Sequence, residues 1–236
     1  MSTESFNLAI ETSGRTGSFA LGLSDELIEV VDLPPQLGGA GKGGSSLLMQ
    51  HLDALCKRRS ISPAQLAEVY LSIGPGSFTG LRVGVTLCKM FALTLGTKIV
   101  AIPTLDVVAC NGPADVQFVA VGLNLKKETL YTGIYERQGD TMKPIAEPEL
   151  RTMSDLLAIA PRPLAIIGDP LPELPDGSSG VTVMDKSFAQ ATAQNLWRLG
   201  RMAAKQGRYT DPLALVPLYV RPPEAVELWD RIHGKA

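Results

Sequence analysis

Cysteine and histidine are both scarce in this chain. Its 236 residues include three cysteines, Cys56, Cys88 and Cys110, and two histidines, His51 and His233. An odd number of cysteines with no C-x-x-C spacing argues against a disulfide framework and a cysteine zinc site, and fits a reducing compartment. No H-x-x-x-H or H-E-x-x-H occurs, so no histidine metal centre is expected. A Ser-His-Asp triad would have to recruit one of two isolated histidines. His51 reads as a packing or interface residue rather than a ligand. Charge of one sign is not in excess either: 22 Lys and Arg against 24 Asp and Glu leave a net charge of −2. That offers no long basic footprint for a nucleic-acid backbone. The N-terminus shows no basic region leading into a long apolar stretch. The most apolar segment, 81–95, is interrupted by Arg82 and Lys89, and is expected to be too short and broken to span a bilayer. The expectation is a soluble, cytoplasmic chain with no membrane partner.

What is present is a globular composition, with 45% hydrophobic and 19% charged residues and room for two lobes sharing a core. "FNLAI", the polar "ETSGRTG" and "SFALGL" read as strand, turn and strand, and "ELIEVVDL" as a third strand. "PPQLGGAGKGGSS" is a loop. A helix is expected from about Ser46 to Arg59, a strand at 68–73, a helix from about Ser77 to Leu95, and a strand at 98–102. Pro103 and Thr104 begin another helix. After about 115 the opening logic returns: "VQFVAVGL", the polar turn "NLKKE", then "TLYTGIYER". The remainder reads as a strand within 142–150, a short helix "SDLLAIA", strands "LAIIG" and "VTVM", and a helix opened by "SFAQ" and running from 187 to about Gln206. Two α/β lobes are the simplest architecture, with residues 1–103 as the first and 104–236 as the second, its tail packing back.

"IGPGSFTGLRVG", residues 73–84, packs four of the 23 glycines into twelve positions. It fails each phosphate pattern. The dinucleotide motif G-x-G-x-x-G finds Gly74 and Gly76, but Thr79 stands third. The P-loop fails at 38–46, where Gly41-Lys42 is followed by Gly43. The nucleophile elbow fails because Pro75 stands two before Ser77. A tight strand-to-helix turn is the simpler reading, although a helix N-terminus is able to hold an anion. In the helix that follows, Leu81, Val83, Val85, Leu87, Met90, Phe91, Leu93 and Leu95 occupy most of the circumference. Such a helix lies deep in a core or has its outer side covered by a partner. Gly80 and Gly84 form a small-x-x-x-small pair that admits another backbone.

Together, "LAIETSGRTGSFALGL", "LSIGPGSFTGLRVGVTLCKMFALTLGTKIVAIPTLDVVA" and "PLYVRPPEA" closely resemble the TsaB, or YeaZ, family. The likeness is strong over about 1–110, looser through 111–210, and returns at 216–225. The resemblance implies the actin-like/Hsp70-like ATPase (ASKHA) fold with two duplicated α/β lobes. It implies a non-catalytic relative of TsaD, the subunit that makes threonylcarbamoyladenosine in tRNA. The implied partners are a TsaD-like catalytic subunit and a TsaE-like ATPase, with a homodimer when alone and tRNA met only through the complex. The implied partner-binding residues lie on the two N-terminal helices: Leu47, Leu48, His51, Leu52, Leu55, Gly80, Arg82, Val83, Gly84, Leu87, Cys88 and Phe91. No cofactor of its own is implied; ATP or ADP at the junction with the partner is left open.

The departures from the family pattern concern the nucleotide site. The usual Asp ending the first strand is Glu11, followed by Thr12 and Ser13. The common Asp-Ala-Arg of the second hairpin reads Asn124-Leu125-Lys126. No histidine stands around Gly44 to Leu48, where TsaD places metal ligands. These hairpins therefore read as a degenerate nucleotide site without a metal. The alternative is an ATP-dependent small-molecule kinase or ATPase of the same fold, and the missing carboxylate at position 124 counts against it. A peptidase is the weakest reading.

Overall fold

The computed structural model describes residues 5–34, 44–126 and 129–220, together with residues 229 and 234. Most of the glycine-rich stretch expected as a loop, and His233, lie outside them.

The strand β1 (Phe6–Glu11) is buried along its whole length. Leu8 and Ile10 point to one face of the sheet, Asn7 and Ala9 to the other, and both faces are covered. β1 pairs antiparallel with β2 (Ser18–Leu23), which pairs antiparallel with β3 (Glu26–Asp32). On its other side β1 runs parallel to β4 (Leu66–Ser72), and β4 runs parallel to β5 (Lys98–Ile102). The order is β3-β2-β1-β4-β5.

The second sheet repeats this plan. β6 (Phe118–Lys126), β7 (Thr129–Gln138) and β8 (Thr141–Pro144) form the antiparallel meander. β9 (Glu149–Thr152) adds to β7. β10 (Leu164–Ile167) lies parallel to β6, and β11 (Val181–Val183) parallel to β10. Read from β8 to β11, the succession of meander and parallel strands is that of the first sheet. The echo between the two halves is thus a duplicated topology.

Helices fill three layers around the sheets. α1 (Gly44–Arg58) and α2 (Phe78–Leu95) cover the outer face of the first sheet, where Leu48, Leu52, Leu55, Leu87, Cys88 and Phe91 join Leu8, Ile10 and Leu71. Between the sheets lie α3 (Thr104–Ala109) and α5 (Ala193–Lys205), packed with Ala9, Tyr70 and Val100 from one side and Val119, Val121 and Ile167 from the other. α4 (Met153–Ile159) covers the outer face of the second sheet through Met153 and Leu156. Ala9 and Ala20 are small because α5 presses onto them, with the Trp197 indole donating to Asn7 Oδ1.

Three local expectations are corrected. "SFAQ" does not open a long helix. Lys186–Ala189 is one 3₁₀ turn capped by Asp185, and α5 begins at Ala193 behind Thr192, whose Oγ1 accepts from the Asn195 N–H at 3.2 Å. Gln190 and Ala191 separate the two, and each start carries its own cap. "NLKKE" is not a turn throughout: β6 continues to Lys126, which pairs with Thr129, so only two residues connect the strands. Third, α2 is 18 residues long, and by length and composition alone it is able to cross a membrane. Its inner stripe nevertheless packs on the first sheet.

Candidate functional site

Two surfaces invite a ligand or partner: a cleft between the lobes and a groove between α1 and α2. The cleft has a volume of about 580 Å³. It opens at the carboxyl ends of the central strands, where open α/β sheets bind ligands. The first lobe contributes Ser13 to Thr16 and Pro75 to Ser77; the second contributes Thr104, Leu123, Asp169, Asp185 to Ser187 and Ala189 to Ala191.

Its shape depends on the glycines of "IGPGSFTGLRVG". At Gly80 a Cβ would drive into the Thr12 carbonyl, and at Gly84 it would stand 2.7 Å from Thr12 Oγ1. Thr12 Oγ1 in turn donates to the Gly80 carbonyl at 2.9 Å. At Gly76 a Cβ would overlap the Ser13 carbonyl, which accepts from the Ser77 N–H at 2.7 Å. The backbone that these glycines admit is the chain's own β1–β2 turn.

The carboxyl that would face a metal-bound nucleotide is Glu11. It is fully buried. Its Oε1 accepts from Ser13 N at 2.6 Å and from Ser13 Oγ at 2.5 Å, while Oε2 is sealed from solvent and meets no hydrogen-bond geometry among the described residues. Burial pushes its pKa up, against the opposing effect of polar groups on Ser13, Ser72 and Gly14. A buried carboxyl folded back on its own turn is a poor cation ligand. Thr12 is spent on α2, and only Ser13 of the three reaches the cleft. Asn124 is half-buried within β6, opposite Leu130, and lies outside the cleft lining. Lys126 sits in the same strand at its last pair. The residues at the two hairpins therefore do not fit a metal-bound nucleotide.

Asp169 and Asp185 escaped the reading of the sequence. Both follow strands of the second sheet, and that position is the signal that could have found them. Asp185 is already engaged: its Oδ1 accepts from Ser187 N at 2.9 Å, and the Ser187 hydrogen bonds hold its carboxyl below the usual range.

The groove between the helices has a volume of about 290 Å³ and is lined by Leu48, Met49, Arg82, Val83, Thr86, Leu87 and Met90. Here the expected partner-binding set divides. Leu52, Leu55, Gly80, Gly84, Cys88 and Phe91 are buried in this chain's own core, and that corrects their placement on a surface. They form the inner stripes of the two helices, pointing at β1 and β4. Leu48 and Leu87 are buried too, but they floor the groove. Arg82 is exposed, and Leu47, His51 and Val83 are half-buried. The open stripe of α2 is Arg82, Thr86, Met90 and Leu93, spaced by four, four and three residues. Met49, Met90 and Leu93, exposed by 42%, 41% and 68%, were absent from the expected set. The spacing of Met90 and Leu93 along one face of α2 was the signal.

A family model described as "TsaD: tRNA N6-adenosine threonylcarbamoyltransferase" matches residues 36–207. The chain is 27% identical over 232 residues to the tRNA threonylcarbamoyladenosine biosynthesis protein TsaB of Bacillus subtilis (strain 168), covering 94% of this chain and 96% of that one. Among solved structures it is similar to YeaZ from Pseudomonas aeruginosa, with a TM-score of 0.73 and 19% identity over 92% of this chain and all of that one. A second structure of the same likeness is described as an uncharacterized protein with similarity to peptidase YEAZ, also from Pseudomonas aeruginosa. Those structures share the actin-like fold, and the two sheets, the helix layers and the family match agree on it. The chain belongs to the family described by the TsaD threonylcarbamoyltransferase model, and within it to the TsaB/YeaZ group.

Proposed function

We propose that this chain is a non-catalytic subunit that binds and supports a TsaD-type threonylcarbamoyl transferase in making threonylcarbamoyladenosine in tRNA, in the cytoplasm. The observation that carries the reading is the open apolar stripe of α2 beside α1. Val83, Met90 and Leu93 reach the surface together with Met49 and Leu47, and an apolar face of this kind fits a partner's helices. Full-length similarity to the Bacillus TsaB protein supports the pathway. The self-engaged Glu11 supports an accessory rather than a reacting role, and counts against a small-molecule kinase of the same fold. In this reading a TsaE-like ATPase joins the pair, tRNA is met only through the complex, and the same face makes a homodimer when the chain is alone.

Mixed with the TsaD-type protein of the same organism, the purified chain is expected to co-elute as a heterodimer, and alone to hydrolyse no ATP. Met90→Glu, on an exposed position, should leave the fold intact and weaken the pair by about tenfold or more, since it puts a charge into a desolvated contact. Robust ATPase activity of the isolated chain, or a Met90→Glu protein that binds as tightly as wild type, would overturn the proposal.

A further inference from the structure

One end of the α1–α2 groove carries a group that is not apolar. Arg82 lies with its guanidinium carbon 3.9 Å from the centre of the Phe78 ring. Its Nε donates to the Tyr219 hydroxyl at 3.1 Å. The Phe78 and Tyr219 rings are 5.3 Å apart, inclined by 36°. All three side chains are exposed. Tyr219 is 137 residues from Arg82 in sequence and arrives on an anchored segment. Leu215 is buried in the core under α1 and α2, and the Leu218 N–H donates to the Ile73 carbonyl at 2.7 Å. The Leu218 carbonyl packs so closely on Gly74 that a Cβ there would stand 2.7 Å away.

An exposed arginine ordinarily samples many rotamers, and fixing it costs side-chain entropy. Here that ordering is already in place. Of the five N–H donors of a guanidinium, Nε–H is used on Tyr219, and the other four find no acceptor among the described residues. A flat cation, stacked on the Phe78 ring and tied at Nε to the Tyr219 hydroxyl, with its outer edge unpaired among the described residues, matches a carboxylate in a bidentate pair. The apolar groove continues directly from it through Val83, Thr86, Leu87 and Met90.

We propose that Tyr219 is a positioning residue that presents Arg82 to a carboxylate of the partner, an Asp or Glu at the end of the apolar helix stripe that fills the groove. This rests on the reading that the α1–α2 face binds the TsaD-type subunit, and it adds the partner chemistry at one end of that face and the role of the C-terminal segment. An apolar floor and a net charge of −2 favour a protein over a nucleic acid as the occupant.

The test is a double-mutant cycle by calorimetric titration of the full chain with the TsaD-type protein. Arg82→Gln should weaken binding about ten- to a hundredfold, as for loss of a charged hydrogen bond. Tyr219→Phe, which keeps the ring, should weaken it about three- to tenfold. The double variant should bind no worse than Arg82→Gln alone, and Arg82→Gln should lose most of the salt dependence of the wild-type pair. Additive losses, or an unchanged affinity for both variants, would overturn the proposal. So would an Arg82→Gln protein whose pair affinity is intact but whose complex cross-links poorly to tRNA. Met90→Glu keeps the two readings apart. If it abolishes binding while Arg82→Gln and Tyr219→Phe do nothing, the face stands and the carboxylate post falls. If all three do nothing, the face itself is wrong.

Discussion

Glu11 shows how far one environment redirects a side chain. A carboxyl at the end of the first strand is expected to look outward at a ligand; this one is sealed beneath its own turn. Burial lifts its pKa above the ordinary 4.5, so the folded chain holds the proton more firmly than the unfolded chain does. The stability linked to this group is fully present below its unfolded pKa and is lost as the pH rises through the raised folded value. Gln at this position cannot ionise. The stability difference between Glu11→Gln and wild type should therefore widen with pH over that window, by up to about 1.4 kcal/mol per pH unit. Urea melts at a series of pH values measure it, and a difference that stays flat would mean that Glu11 titrates as an ordinary carboxyl. The residues Glu11, Thr12 and Ser13 were legible as a special turn from their polarity after an apolar run. Their directions were not, because these depend on Gly76, Gly80 and Gly84, some 70 positions away, letting α2 settle onto that turn.

α2 is apolar almost all round, and its sequence leaves open which apolar residues are core. Period 3.6 places Phe91 on a stripe with Gly84, Leu87 and Cys88, and Leu93 on a stripe with Met90 and Thr86. Only the sheet decides which stripe faces in. Phe91 is 5% exposed and Leu93 is 68% exposed. Phe91→Ala should cost about 3–5 kcal/mol of unfolding free energy, while Leu93→Ala should stay within about 0.5 kcal/mol. Denaturant midpoints compare the two, and equal losses would contradict the orientation. The family resemblance put Leu52, Leu55, Gly80, Gly84, Cys88 and Phe91 on the partner face because it pointed to the two helices and not to their inner stripes. Apolarity marks both a core stripe and a docking stripe, and an over-apolar helix carries one of each. The start of α5 was misplaced for a different reason. Two competing caps, Asp185 and Thr192, stand seven residues apart, and both are used.

The two sheets share their central layer. α5 comes from the far end of the chain, yet Leu196, Trp197 and Ala203 belong to the cluster that covers Ala9, Ala20 and Tyr70 of the first sheet. Gly200 is pressed against the Tyr70 ring, and Trp197 donates to Asn7. A fragment of residues 1–103 would leave that face of its sheet bare. It is expected to give little cooperative unfolding by circular dichroism, and to regain it when mixed with 104–236. A cooperatively folded fragment would show instead that the first lobe is autonomous.

Apolar runs of period two and 3.6 and the recurrence of strand, turn and strand after residue 115 were enough for the αβ alternation and an echo between two halves, and stretches such as "IGPGSFTGLRVG" carried the resemblance to the family. These are local patterns, and each element carries its own. The tertiary structure alone decided that Glu11 is sealed, that the glycines at 76, 80 and 84 receive the chain's own turn, and that Tyr219 reaches Arg82. Each of these joins residues far apart in sequence, and only the closing of the sheets and the return of the C-terminal segment set such distances.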